Sequence, residues 1–104
     1  MRGKYSLTEQ EHGYWEILVE MYLEDMLYGN TEEVDLSQKD INPYQLGRIL
    51  ESFGWEEDEV NVEGYELDRW AYYCHPDHRD LICIYSCGIT FELKLSIIVH
   101  DENG

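Results

Sequence analysis

The chain has few basic residues. Only 7 Lys and Arg stand against 23 Asp and Glu among 104 residues, so the formal net charge at pH 7 is −16. A folded surface with this charge repels nucleic acid and anionic membranes, and it attracts basic surfaces. The imbalance therefore argues against direct binding of nucleic acid or of a membrane. It leaves two readings, a positively charged macromolecular partner or a charge that serves only solubility.

Long apolar runs and paired cysteines are also missing. No apolar run approaches the roughly 20 residues that span a bilayer, and the first residues have no signal-peptide core. The chain has 3 cysteines, an odd number, whereas a secreted disulfide scaffold has an even and denser set. We therefore expect a cytoplasmic protein with reduced thiols.

Recognisable catalytic patterns are scarce as well. The sequence has no glycine-rich phosphate loop. Cys74 and His78 could form a nucleophile and its base, but nothing near them supplies an orienting third group or an oxyanion hole. We therefore expect no enzyme activity, no catalytic residue and no cofactor.

Apolar and aromatic residues, in contrast, are abundant. They make up 43% and 13% of the chain, including 9 Tyr and 3 Trp, which is too many for a disordered acidic segment. A length of 104 residues is typical of one domain, so we expect residues 1–104 to form a single folded unit.

The first half of the chain predicts two helices. Helical periodicity runs from Thr8 to Tyr28, and its apolar residues are spread so widely around the axis that we expect burial on more than one side. Residues 31–41 are polar and predict a loop. Asn42 then acts as an N-cap before Pro43, which opens a second helix that ends at Gly54.

The last forty residues predict an antiparallel sheet. Three segments alternate between apolar and polar residues, namely 66–74, 81–86 and 89–99. A two-residue turn at 87–88 would place Ile84 opposite Phe91 and Ile82 opposite Leu93. The predicted fold is α+β, with two layers: two helices packed on a three-stranded antiparallel sheet, in the order α-α-β-β-β.

This register places aromatic side chains on the sheet face away from the helices. Ala71 and Tyr73 would join the covered face, while Trp70, Tyr72 and Tyr85 would share the opposite face with Cys83. Aromatic patches with polar rims are typical of interaction surfaces. We predict that Trp70, Tyr72 and Tyr85 bind a partner or form the seam of a homodimer, unless another segment of the chain covers them.

Acidic residues form three clusters. Glu16, Glu20 and Glu24 recur at every fourth position of the first helix, beside Asp25, and nothing basic lies three or four residues away to relieve their repulsion. The other clusters are Glu56, Glu57, Asp58 and Glu59, and Glu32, Glu33 and Asp35. Such rows resemble a strand of phosphates in sign, so they predict docking into a Lys- and Arg-lined groove. The alternative is an ordinary solvated surface.

Cysteine and histidine residues gather in one short stretch. Cys74, His78, Cys83 and Cys87 follow the spacing Cys-x3-His-x4-Cys-x3-Cys, and thiolate and imidazole are the usual zinc ligands. The spacing differs from that of zinc fingers, knuckles and ribbons, and Cys83 falls in the middle of a predicted strand. We therefore expect no metal, and we keep zinc at these four residues as the alternative.

The chain resembles known proteins in two respects. The segment Trp70-Ala71-Tyr72-Tyr73 and residues 86–93 resemble a hairpin in small proteins of phages and bacterial mobile elements. The size and charge resemble those of phage anti-CRISPR and anti-restriction inhibitors, some of which mimic DNA. The resemblance implies an inhibitor in a bacterial cytoplasm, with a basic nucleic-acid-binding protein such as a CRISPR effector nuclease as its partner. The alternative is a phage or mobile-element assembly protein that homo-oligomerises through its aromatic sheet face.

Overall fold

A computed structural model describes residues 9–62 and 68–99 of the chain. In chain order the elements are α1 (Glu9–Leu27), β1 (Glu33–Asp35), α2 (Pro43–Ser52), β2 (Glu56–Val62), β3 (Asp68–His75), β4 (His78–Cys87) and β5 (Glu92–Ile98). The α+β class is confirmed. The described strands form one antiparallel sheet of five strands in the order β1-β5-β4-β3-β2, so the prediction of three strands is wrong. The predicted helix start at Thr8 and residues 66–67 lie outside the described residues.

The two additional strands form the edges of the sheet, and both are acidic. β1 lies in the segment predicted to be a loop, and it pairs with β5 through Glu33 opposite Ser96 and Asp35 opposite Lys94. β2 contains the acidic run that begins at Glu56, and it pairs with β3. Acidic residues have low strand propensity, but pairing with a neighbouring strand overrides that preference. Charge on edge strands also opposes edge-to-edge aggregation.

The predicted face of the aromatic strand is confirmed, because Ala71 and Tyr73 share a face with Ile82 and Ile84. Ala71 lies opposite Ile84 and Tyr73 lies opposite Ile82 across β3 and β4. A two-residue turn, Pro76 and Asp77, joins these strands. Because side chains alternate along a strand, this register fixes which residues of β3 and β4 share a face.

The predicted register between β4 and β5 is wrong. Ile84 pairs with Leu95 and Ile82 pairs with Ile97. Residues 88–91 form the loop, with Phe91 at a positive φ of 58°. Each partner on β5 is displaced by an even number of residues, so the apolar residues of both strands still share one face. Phe91 itself is exposed in the loop instead of packing in the core.

One layer of helices covers one face of the sheet, and the core lies between them. We call this covered face the inner face and the opposite one the outer face. The buried side chains from the helices are Trp15, Val19, Leu23, Met26, Leu46, Ile49 and Leu50, and those from β3, β4 and β5 are Tyr73, Ile82, Ile84, Leu93 and Leu95. α1 contacts β5, whereas α2 contacts β2 and β4. The predicted two-layer packing is therefore confirmed.

The second helix begins and ends as its sequence predicts. The Asn42 side chain accepts a hydrogen bond from the Gln45 amide at 2.8 Å, and the Gln45 side chain accepts one from the Asn42 amide at 3.0 Å. This reciprocal capping box satisfies amides that a helix N-terminus leaves without partners. Gly54, at a positive φ of 92°, follows the last turn.

The prediction for α1 is wrong in one respect, because the helix buries a single face. Trp15, Val19, Leu23 and Met26 face the sheet, whereas Ile17 and Met21 are exposed. In the part of the chain that the structure describes, one layer of helices covers the sheet, so these two side chains on the outward side of α1 remain exposed. Among the described residues no helix is both long and apolar enough to cross a membrane.

Candidate binding surfaces

The predicted aromatic residues lie together on the outer face of the sheet. The Trp70 and Tyr85 rings pair across β3 and β4 with centroids 4.9 Å apart and an interplanar angle of 44°. Tyr72 lies opposite Cys83 in the same strand pair. The three aromatic side chains are half-buried, and both helices pack on the other face. These residues therefore share the face of the sheet that neither helix covers.

Charged groups surround this aromatic patch. The Lys94 ammonium lies 3.7 Å from Glu33 and 3.9 Å from Glu92, and Lys94 pairs with Tyr85 across the strands. Hydrogen bonds from Ser37 hold the pKa of Asp35 below its usual value. Burial raises the pKa of Tyr85, with a further contribution from the Asp68 charge. The patch is thus anionic at one edge, with Lys94 between its carboxylates and its rings.

The acidic row on α1 is largely exposed. Glu20, Glu24 and Asp25 are exposed to solvent, and within the described residues none of them forms an ion pair with Lys or Arg. Glu16 is an exception to the predicted row, because its carboxylate lies 2.9 Å from the His12 imidazole four residues earlier. The expectation that nothing basic relieves the series is therefore wrong at this one position.

The acidic run on β2 does not form one patch. Glu56 lies opposite Cys74, and Glu57 lies opposite Tyr73 on the inner face. The pairing shifts register between Glu57 and Glu59, around the exposed Asp58. Because alternate residues of a strand point to opposite faces, the sequence run is divided between the two sides of the sheet.

The second and third acidic clusters occupy opposite edges of the sheet. β1, with Glu33 and Asp35, is one edge, and β2, with Glu56, is the other. The aromatic patch on β3 and β4 lies between them. The clusters therefore flank the outer face and do not merge into one surface, a point that the sequence left open.

Comparisons with known proteins do not identify a relative. No family model, no curated protein and no solved structure matches this chain. The resemblance to phage proteins therefore rests on residues 70–73 and 86–93 and on size and charge.

The predicted alternative zinc ligands are not brought together. Cys83 and Cys87 are four residues apart on β4, which corresponds to roughly 13 Å of strand. His78 stacks on Trp55 at 5.4 Å with an interplanar angle of 3°. Within residues 9–62 and 68–99 no group of three or more His, Cys, Asp or Glu is placed to hold a metal ion. Burial raises the pKa of the Cys83 thiol, which disfavours the reactive thiolate.

The structure also contains a cleft that the sequence does not signal. It has a volume of about 1030 Å³ and lies between α2 and the inner face. Among its lining residues are Arg48, Arg69, Glu51 and Glu57, so its charges balance. The Tyr73 hydroxyl contacts Gly47 so closely that a Cβ at Gly47 would collide with it. A glycine inside a helix pattern was the only sequence feature that could have indicated this close approach.

Proposed function

We propose that this protein is a non-enzymatic binding protein that occupies the basic nucleic-acid groove of a nuclease or another DNA- or RNA-binding protein. Phage inhibitors of the anti-CRISPR or anti-restriction type, which it resembles in size and charge, are the closest functional analogy. A CRISPR effector nuclease is the first target to test. The observation that carries the proposal is the exposed row Glu20, Glu24 and Asp25, which no described Lys or Arg neutralises.

Charge density supports a role for more than one acidic cluster. Residues four apart on a helix are separated by roughly 6 Å along its axis, whereas one DNA strand carries a phosphate every ~3.4 Å. The α1 row alone is therefore a sparse substitute for DNA. β1 pairs with β5, the strand that α1 contacts, so Glu33 and Asp35 add carboxylates at the sheet edge next to that strand, with their side chains on the outer face beside Lys94.

Salt dependence provides the test of this proposal. We expect the protein to capture a basic nucleic-acid-binding protein from a nuclease-treated bacterial lysate that expresses candidate nucleases. The captured protein should elute as salt rises, because its basic groove releases counterions on binding and recovers them on dissociation. The triple variant E20K/E24K/D25K should bind the captured protein at least tenfold more weakly than the wild type, with a shallower dependence on salt. Duplex DNA should compete with the wild-type protein for the same partner.

A matched control removes the effect of net charge. The variant D40K/E51K/D77K changes the charge by the same amount at three other exposed carboxylates, and we expect its affinity to stay within about threefold of the wild type. Equal losses in both variants, or a loss in neither, would contradict a specific role for the α1 row. Circular dichroism should show that both variants remain folded.

A second candidate function is self-assembly through the outer face. The paired Trp70 and Tyr85 rings, beside Tyr72, lie on the face opposite the helices, and aromatic residues are enriched at the centres of interfaces. Sedimentation separates the two functions. An oligomer that persists at high salt and dissociates in the Trp70→Ala variant would favour assembly, whereas a monomer at every salt concentration would exclude it.

A further inference from the structure

The outward face of α1, continued by Tyr28 directly after its last residue, carries an apolar row that the core does not use. Tyr14, Ile17, Met21 and Tyr28 are 60%, 65%, 55% and 80% exposed. Their spacing of three, four and seven residues places them along one line, opposite the residues that face the sheet. Glu24 occupies the remaining position of this line. The row therefore has the heptad spacing through which one helix packs against another, with a carboxylate in place of one apolar residue.

A small depression adjoins this row. It has a volume of about 190 Å³, and Gly13, Glu16, Ile17, Glu20 and Phe53 line it. A Cβ placed on Gly13 would meet nothing within 4 Å, so this part of the helix surface is open. Pockets for small molecules usually have roughly 300–1,000 Å³, so the depression suits a single side chain.

The chemistry of the depression selects a basic side chain. Ile17 and Phe53 supply apolar surface, and Glu16 and Glu20 supply carboxylates. Lys and Arg combine an aliphatic stem with a cationic head, and they bury the stem along apolar surface. The depression therefore fits a Lys or Arg whose stem contacts the apolar residues and whose head reaches the carboxylates.

The charges on the outward face of α1 favour one of three possible occupants, which are a second copy of the chain, an anionic membrane and a basic helix. Glu20 lies along one side of the apolar row and Asp25 lies along the other side, while Glu24 lies within the row. A second copy of this chain, itself with a net charge of −16, would bring like charges together across the contact. An anionic membrane would be repelled for the same reason. A basic helix, in contrast, would pair its flanking cations with these carboxylates while burying the apolar row.

We infer that the outward face of α1 docks an amphipathic helix of a partner protein. That helix has apolar residues at heptad spacing, basic residues on both sides of them, one Lys or Arg in the depression and another opposite Glu24. Recognition through helix packing is a recurring mode of binding. The inference rests on the proposed function for the basic character of the partner, and it adds the structural element that the partner contributes.

Two synthetic peptides of identical composition test the inference. One repeats a heptad with Leu at the two core positions and Lys beside them, and the other has the same residues in an order that gives no apolar row. We expect fluorescence anisotropy, at concentrations where each peptide alone is monomeric, to show binding of the heptad peptide at least tenfold tighter than that of the reordered peptide. Because net charge is equal, the difference reports the apolar row.

Variants locate the binding face. The double variant I17N/M21N should lose at least tenfold affinity for the heptad peptide and keep its weak affinity for the reordered one. Tyr44→Ser is the control, because Tyr44 is 64% exposed on α2, and it should leave both affinities unchanged. All three substituted residues are exposed, so circular dichroism should show folded variants.

The outcomes separate this inference from the proposed function. Equal affinity for the two peptides would show that charge alone attracts them, which overturns the inference and leaves the proposed function standing. Tighter binding of the heptad peptide without capture of any nucleic-acid-binding protein would overturn the proposed function and leave the inference standing. A dimer of the wild type that I17N/M21N dissociates would assign the face to a second copy and overturn the inference.

Discussion

Replacing Trp55 with alanine should lower the free energy of unfolding by about 3–5 kcal/mol, the range for truncating a buried Trp or Phe. The Trp55 side chain is 2% exposed. It contacts the rings of His75 and His78 at centroid distances of 5.1 and 5.4 Å, so truncation to alanine would remove both contacts. Domains of this kind are stable by about 5–15 kcal/mol, so the variant would retain little stability.

Urea unfolding followed by far-UV circular dichroism measures this loss. Trp55→Phe is the control, because it keeps an aromatic ring against the two histidines and should lose less stability than the alanine variant. A loss below about 1 kcal/mol for Trp55→Ala would contradict the assigned role, since it would fall to the level of an ordinary substitution.

Trp55 lies at the start of the acidic strand β2, so its packing affects where the carboxylates of that strand lie. Its backbone amide donates a hydrogen bond to the Leu50 carbonyl at 3.1 Å, so it closes the connection between α2 and β2. Glu56 and Glu57 follow directly. A strand composed of carboxylates has little tendency to form by itself, and it is held by pairing with β3 on one side and by the buried Trp55 at its start. The location of these charges therefore depends on an apolar contact.

The sequence predicts local patterns better than partners that are distant in the chain. The alternation around Tyr73 and Ile82 correctly predicts that they share the covered face, because period two assigns a face to every residue of a strand. The loop before β5 is predicted wrongly because Cys87 and Gly88 look like a two-residue turn. The chain instead turns through Phe91 at a positive φ, which a bulky residue rarely adopts. β1 and β2 are missed because pairing within the sheet overrides their acidic composition.

For the candidate surfaces, too, the sequence predicts local patterns better than contacts between distant parts of the chain. The alternation correctly places Trp70 and Tyr85 on one face, since that requires only the register of a hairpin. The sequence misses the outward row of α1, because Ile17 and Met21 are as apolar as the residues in the core. Whether one or both apolar rows of α1 are buried depends on the number of layers in the fold. The number of layers is set by the whole chain and not by the sequence of the helix.

Alkaline pH should destabilise the protein through Tyr73. Burial raises the pKa of Tyr73 from its ordinary value of 10.0 to about 12, with further contributions from Glu57 and Glu51 and an opposing one from Arg69. Below the ordinary pKa, both the folded and the unfolded chain keep the proton. Above it, the unfolded chain releases the proton first, so the folded state binds more protons and its stability falls as pH rises toward the raised pKa. A shift of this size corresponds to about 2–3 kcal/mol.

The Tyr73→Phe variant isolates this contribution. We expect the free energy of unfolding of the wild type, measured with a reductant present, to fall between about pH 9 and pH 12 by about 2–3 kcal/mol more than that of the variant. Burial also raises the pKa of Cys83 and Tyr85, but both groups are present in the two proteins and their contributions cancel in the difference. Equal declines would mean that the Tyr73 hydroxyl is solvated in the cleft as it is in the unfolded chain. An excess decline would show that the inner face holds a neutral phenol beside two carboxylates, with Gly47 leaving the space in which it fits.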